Sequence, residues 1–524
     1  MKYNNPILPG FHPDPSICRA GNDYYLVTSS FEYFPSIPVF HSKDLIHWEQ
    51  YGHCITNEDD LCLRKGFPGR TGIYAPTIRY HKGTFYVVFT NVAYGGKDDG
   101  NFFVHTTDPK KGWSKPIPID TPGIDPSFFF DEDDNVYYTG ASDGKIFMQQ
   151  IDITTGKSIG QMQFIWGGTG GNDPEGPHLY KKDGWYYLLI SEGGTELGHM
   201  ITMARSRQIT GPYMAYEKNP VLTNRSHSME LKAIGHADLI QDQNDNWWAV
   251  CLGIRTISYP YRHNLGRETM LVPVVWKKDC FPVFANNGLL ENVIETDKLP
   301  LSLEPFEPDS QNLVGFFHYY DDFSADVLNS CWNTIYNPDK SLYVLATDQT
   351  DKSASGITLY GSVHAIGSAD SITWLGRRQE HHFFDAVTKL TFDPVANGDE
   401  AGLTIYLNNK HHYEIALAML HNKKCLLFRR QIGSLFKIEQ CIEYTDNSVY
   451  LKLQATMQEY SFSYSKDGKN YLPFGKGECA YLTTEVGGYF TGNYIALYCT
   501  NTDPSVQKGA FYHFYDYQAY LPPQ

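Results

Sequence analysis

Apolar and polar positions in the first 295 residues recur as a compound unit. Each unit opens on an acid or its stand-in, enters a short apolar run, turns, and ends on an aromatic strand. The copies read DPSICRAGNDYYLVTSS (14–30), APTIRYHKGTFYVVFTN (75–91), DPSFFFDEDDNVYYTGAS (125–142), EGPHLYKKDGWYYLLIS (175–191) and HADLIQDQNDNWWAVCL (236–252). They begin about 50 to 60 residues apart, a period that signals a solenoid or a propeller. The apolar runs are of strand length, and the turns between them carry Gly21-Asn22, Lys82-Gly83, Asp133-Asp134-Asn135, Asp183-Gly184 and Asp245-Asn246, which is hairpin chemistry. A second strand pair follows each hairpin, as in VFHSKDLIHWEQ (39–50) and ITMARSRQITGPYMA (201–215). Four strands in each of five repeats predict a five-bladed β-propeller over residues 1–295.

In a propeller the innermost strands converge on the axis, so the opening residues Asp14, Ala75, Asp125, Glu175 and His236 are expected to ring one end of the channel. The first apolar anchor follows three residues later in four copies and four later after Glu175. Asp14 and Asp125 each precede a proline and Glu175 follows Asp173-Pro174. A residue before proline is pushed towards extended backbone, so all three acids are expected on stiff, extended chain.

Residues 296–320 carry Pro, Ser and Asp without a period and read as a linker. From 321 to 524 the pattern changes to many short strands with close turn signals, such as Asn397-Gly398 and Lys466-Asp467-Gly468, which predicts an antiparallel β-sandwich. The whole chain is thus expected to be all-β.

Aromatic residues make up 15% of the chain, suiting both strand packing and stacking on sugar rings. The formal charge of −16 argues against nucleic acid and against an anionic membrane surface. No run approaches the roughly 18 apolar residues of a membrane span, and MKYNNPILPGFHPD has no apolar signal core, so a cytoplasmic location is expected. The ten cysteines show no CxxC pair; Cys18, Cys251 and Cys499 lie in apolar runs and read as reduced core residues.

One acid before a proline is usually a turn cap. Three at matching repeat positions point to chemistry. Two opposed carboxyl groups are what glycosidic cleavage needs, one to protonate the leaving oxygen and one to activate water or attack carbon. A third acid nearby would hold the proton donor's pKa up. No catalytic metal is required.

HPDPS, GIDPS and PEGPHLY resemble the three acidic motifs of glycoside hydrolase family 43, and SSFEYFP, HSKDLIHW, TGIYAPTIRY, SEGGT, ARS, IGHADL, LGRET and GGYFTGNY extend the resemblance over nearly the whole chain. It implies an inverting enzyme of the xylosidase and arabinofuranosidase kind, whose concanavalin-like sandwich caps the site. By resemblance, Asp14 is the general base, Glu175 the general acid and Asp125 the acid that tunes the donor. Arg267 would hydrogen-bond the terminal sugar. Thr195, Phe31, Tyr74 and Ala75 would line the pocket, and Phe490 would be lent to its rim by the sandwich. His236 matches a channel histidine that in some members neighbours a calcium ion, so the resemblance leaves a channel calcium open. Many relatives have Trp where this chain has Tyr74.

The expected reaction is release of terminal β-1,4-xylosyl or α-L-arabinofuranosyl units from xylo- or arabinoxylo-oligosaccharides, and relatives are often homo-oligomers. The rival readings are an endo-acting arabinanase and a non-catalytic carbohydrate-binding propeller.

Overall fold

The computed structural model describes residues 1–300, 313–346, 355–488, 490–503 and 508–521. The middle of the expected linker, 301–312, lies outside them. Residues 2–295 form five antiparallel blades around an axis. Their innermost strands are Ser16–Ala20, Thr77–His81, Ile124–Phe130, Glu175–Lys182 and Leu231–Gln241. Their outermost strands are Glu49–Ile55, Ile117–Ile119, Ser158–Trp166, Met214–Ala215 and Val283–Phe284. Blade 2 departs from the plain four-strand pattern. Its inner strand is broken at Tyr74-Ala75-Pro76, and both pieces, Gly72–Ile73 and Thr77–His81, pair with Thr84–Val92.

The hairpin turns fall where the polar clusters stand. In blade 5 the Asp242 carboxylate accepts from the amides of Asn244 and Asn246 and from the buried Trp248 indole, so one side chain closes the turn and satisfies the largest ring behind it. Asp131 does the same for the amides of Asp133 and Asn135 in blade 3. The ring is closed by its ends. Lys2–Asn4 pairs antiparallel with Val293–Glu295, and Leu8 bridges Thr269 of blade 5.

The C-terminal domain is a two-sheet sandwich. One sheet runs through Gly509–Ala519, Phe384–Thr391 and Ser448–Ala455, the other through Tyr494–Thr500, Glu400–Asn408 and His411–Leu420. Inward residues of both sheets, among them Leu403, Ile415, Phe428, Leu451 and Phe462, form its core. The outer face of the second sheet is covered by the propeller: Tyr494 stacks on Tyr33 with centroids 4.2 Å apart, and Trp374, Ala496 and Tyr498 join the same cluster as Phe11 and Phe34. Backbone pairing of Thr334–Ile335 with Tyr33–Phe34 and an Arg378 Nε bond to the Phe11 carbonyl at 2.8 Å lock the domains together. Among the described residues the α-helix is a single turn, Thr484–Gly487, and no helix is long and apolar enough to cross a membrane. Cys18, Cys251 and Cys499 are buried free thiols.

Candidate active site

Bulges shape the inner strands of blades 3, 4 and 5 at the level of the acids. In blade 3, Ile124 pairs with Ala141 and Ser127 with Thr139, so Asp125 and Pro126 together oppose Gly140 alone. Blade 4 repeats this between Glu175 and His178, and blade 5 between Gly235 and Asp238. The first bulged residue is left-handed each time, with φ +53° at Asp125, +58° at Gly176 and +46° at His236; Asp14 in blade 1 has φ +54°. The expectation of extended backbone before proline is therefore wrong for Asp14 and Asp125. A bulge closed by proline turns the preceding residue into the left-handed region, and Asp and His are among the side chains that tolerate it best.

The bulges also explain the odd spacing in blade 4. Gly176, not Glu175, is the equivalent of Asp14, Asp125 and His236, and Glu175 holds the place of Ile124 and Gly235. A Cβ on Gly176 would lie 2.9 Å from His236 Cε1, so the glycine lets the fifth-blade histidine lie across the fourth-blade bulge. Glutamate's extra methylene lets it reach the axis from one residue earlier. Its loop is held by Glu192, which accepts from the Thr169 and Gly171 amides and from the Thr169 and Thr202 hydroxyls.

The acids differ in protonation. Asp14 is buried; burial opposes its charge, but Arg267, His236 and the Ser29 hydroxyl outweigh that and hold its carboxyl below the ordinary range. Arg267 Nη1 donates to Asp14 Oδ1 at 2.9 Å and to Thr195 Oγ1 at 3.0 Å, and Ser29 donates to Asp14 Oδ2 at 2.5 Å. Asp125 is pushed up to about 6 by burial and by the Asp14 charge, against the pull of His236 and Arg267. Glu175 is raised well above the ordinary range by burial, then by Asp125 and Asp14. Its side chain is still 21% exposed, against 6% for Asp14, so the raised carboxyl is the one an incoming group meets.

Two histidines border the acids. His236 Nδ1 is 3.9 Å from Asp14 Oδ1, and its backbone amide donates to Ser191 Oγ at 2.7 Å. His199 Nε2 is 4.0 Å from Glu175 Oε1. Burial and the neighbouring His236 and Arg267 lower His199 to about 3, so the ring is neutral. Its Nδ1 lies 3.3 Å from the Ala233 carbonyl, which can only accept, so the proton sits on Nδ1 and Nε2 turns a bare lone pair towards the protonated Glu175.

An aromatic wall closes one side. Phe31, Tyr74 and Phe490 pack against one another with centroids 5.1 to 6.0 Å apart, and the Arg267 guanidinium lies 5.5 Å from the Phe31 ring and 5.2 Å from that of Phe490. Ala75, next to Tyr74 in the chain, is buried. Phe490 belongs to a sandwich strap docked by Phe490 N to Gly69 O at 3.1 Å and Asn493 N to Asn264 O at 2.9 Å. A Cβ on Gly492 would come within 2.5 Å of the Leu265 carbonyl, which is why the strap narrows to glycine there.

Below the acids the channel is filled by Arg79. Its guanidinium donates to both Asp238 oxygens, at 2.7 and 3.2 Å, to Ser16 at 3.3 Å and to Ser127 at 3.4 Å, and lies 2.7 Å from His178 Nδ1. Among the described residues no three His, Cys, Asp or Glu side chains gather as a metal site. The donor set near His236 does not fit calcium either. The carboxylate that His236 pairs with, Asp14, is already held by Arg267, and the channel carries its own cation in Arg79.

The profile of Glycosyl hydrolases family 43 matches residues 3–282, and that of the Beta xylosidase C-terminal Concanavalin A-like domain matches residues 320–518. The chain belongs to family 43 of the glycosyl hydrolases. Among the relatives of this hydrolase, a non-reducing end alpha-L-arabinofuranosidase of Bacteroides ovatus is 35% identical over 519 residues, 98% of this chain and 94% of the relative. A xylosidase/arabinosidase of Butyrivibrio fibrisolvens is 35% identical over 536 residues, covering 98% of both chains. A solved structure described as Bacteroides ovatus Xyloglucan PUL GH43B superposes with a TM-score of 0.91 at 33% identity, over 99% of this chain and 100% of that one.

Of the site residues named from the sequence of this family 43 hydrolase, Arg267, His236 and Thr195 stand with the acids, and Phe31, Tyr74 and Phe490 pack together beside Arg267. Ser29, Glu192, His199, Arg79 and Asp238 were not named. Asp238 had a signal. It follows His236 by two in the repeat, where Ser16, Thr77, Ser127 and His178 stand in the other blades, a second polar ring one turn of the pleat below the first.

Proposed function

We propose that this glycosidase releases single terminal β-1,4-xylosyl or α-L-arabinofuranosyl units from xylan-derived oligosaccharides with inversion at the anomeric carbon. The observation that carries the reading is the contrast between Asp14, paired with Arg267 and held below the ordinary carboxylate range, and Glu175, raised well above it by burial and two neighbouring acids. In the proposed step Asp14 takes a proton from water as the water oxygen bonds to the anomeric carbon. The glycosidic C–O bond breaks, and its oxygen takes the Glu175 proton. Asp125 keeps that proton on Glu175 until the leaving oxygen needs it. Arg267 Nη2 has no hydrogen-bond partner among the described residues and serves a sugar hydroxyl.

The substrate class is read from the closed side of the site and from the relatives' names. The Phe490 strap and the aromatic wall close one side of the cup, which suits removal of an end unit better than cleavage inside an arabinan chain. All three acids are present, which a purely binding propeller has no need to keep. Incubation with xylobiose and with nitrophenyl β-xyloside and α-L-arabinofuranoside tests the reading: pentose release from at least one supports it, and release from none contradicts it.

A further inference from the structure

Beside the cup, on the same end of the propeller, lies a hollow of about 540 Å³ between blades 2 and 3. Its lining runs through Thr90, Val92 and Tyr94 on one side and Thr121 to Ile124 on the other, and Ile124 is joined directly to Asp125. Apolar groups (Val92, Ile119, Pro122, Ile124) alternate with polar ones (Thr90, Asn101, Thr121), the mixture a sugar ring presents in return. Asp99 and Asp120 also line it, and no lysine or arginine does, so a neutral ligand fits better than an anionic one.

At its edge Tyr94 is 57% exposed. The turn that carries it is braced. Asp99 Oδ1 accepts from the Ala93 amide and Oδ2 from the Gly95 amide, both at 2.6 Å, and Gly96 N donates to Ala93 O at 2.9 Å. Cys62 N donates to the adjoining Asp98 at 2.9 Å. Tyr94 itself is held at φ +47°, a conformation its side chain does not favour and that this bracing maintains. The Phe67 ring stands edge-on to it at 5.6 Å, and Tyr94 lies close enough to Tyr74 to bear on the ionisation of that hydroxyl. The aromatic wall of the cup thus continues outward into a fixed, solvent-facing ring over the hollow.

We infer that this hollow, with Tyr94 as its stacking platform, is a subsite for the neutral pentosyl units of the leaving saccharide beyond the first, so that the enzyme prefers trisaccharides and longer chains to disaccharides. The inference rests on the proposed glycosidase reading. It is tested by kcat/KM for xylobiose, xylotriose and xylotetraose on the full-length enzyme and its Tyr94→Ala and Tyr94→Phe variants. Loss of the ring should lower kcat/KM for the tri- and tetrasaccharide about tenfold and leave xylobiose within about twofold, while Tyr94→Phe keeps the ring and stays near the parent on all three. An equal loss on all three substrates, or none on the longer two, overturns the subsite and leaves the reading of the cup untouched. If the parent enzyme releases no pentose from the xylo-oligosaccharides, calorimetric titration with xylotriose decides the subsite alone, and the proposed function falls only if nitrophenyl β-xyloside and α-L-arabinofuranoside are also left intact. A Kd about tenfold weaker in Tyr94→Ala supports it, and an unchanged Kd, or no binding to the parent, overturns it.

Discussion

Arg267 Nη1 lies 2.9 Å from Asp14 Oδ1, and the same nitrogen reaches Thr195 Oγ1 at 3.0 Å, so a fifth-blade guanidinium ties the first-blade acid to the loop of the fourth. Burial alone would drive the Asp14 carboxyl up; Arg267 is the largest influence pulling it down. Replacing Arg267 by Ala should therefore move the acid limb of kcat/KM to higher pH as Asp14 becomes easier to protonate. The rate at the optimum should fall by about 10² or more as the proposed sugar contact is lost as well. Lysine should not rescue it, because all its donors sit on one nitrogen, whereas the planar guanidinium bonds Asp14 and Thr195 through Nη1 and holds Nη2 apart for a sugar hydroxyl. The pH–rate profile of both variants checks this.

Asp125 acts on Glu175 through its charge. Above about pH 6 Asp125 is ionised and opposes ionisation of Glu175. In Asp125→Asn that charge is gone, so Glu175 should lose its proton at lower pH and the alkaline limb of kcat/KM should shift down. An alkaline limb that stays in place or moves up contradicts the coupling. Burial still acts on Glu175 in the variant, so the limb should remain above the ordinary glutamate range.

Gly176 carries φ +58° and has the His236 ring within 2.9 Å of where a Cβ would stand. Gly176→Ala should cost roughly 1–2 kcal/mol for the left-handed backbone alone, with more from displacing His236. The expected outcome is a lower urea midpoint together with reduced kcat, because His236 borders Asp14 and Glu175 adjoins the changed residue. Unchanged stability would mean that the bulge in blade 4 is not under the constraint described.

The repeat, the blade number and the three acids were legible because a propeller writes its symmetry into spacing. The acid, apolar run, turn and aromatic strand recur, and convergence on one axis follows from closure. The backbone at the acids was not legible in the same way. The rule that residues before proline are extended fails at Asp14 and Asp125, and at Asp125 a bulge, a property of pairing with the neighbouring strand, overrides it. The irregular count at Glu175 was visible, but only the register shows that Gly176 is the true equivalent. His199 lies in a segment with no repeat signature, and Ser29, though inside the first copy, is an uncharged residue that nothing local marks as the partner of Asp14. Tyr74 and Phe490 meet across a domain boundary, a contact that no periodicity encodes.

The channel below the acids rests on a buried ion pair. Arg79 Nη1 is 2.7 Å from Asp238 Oδ2, and the Asp238 side chain has no exposed surface. Removing the carboxylate by Asp238→Ala strands a guanidinium among Ser16, Ser127 and His178, and should destabilise the protein by about 3–5 kcal/mol in urea denaturation. A loss under 1 kcal/mol would show that the guanidinium finds water instead.

The central claim is that blade closure places a charged Asp14 and a neutral Glu175 in one cup as base and acid. The most direct measurement compares xylobiose with dinitrophenyl β-xyloside, whose leaving group needs no proton, on Glu175→Ala and Asp14→Ala. The account predicts that Glu175→Ala loses about 10³-fold or more on xylobiose but stays within about tenfold of the parent on the dinitrophenyl substrate, whereas Asp14→Ala fails on both. Equal losses for Glu175→Ala on the two substrates, or near-parent turnover by Asp14→Ala, would contradict it.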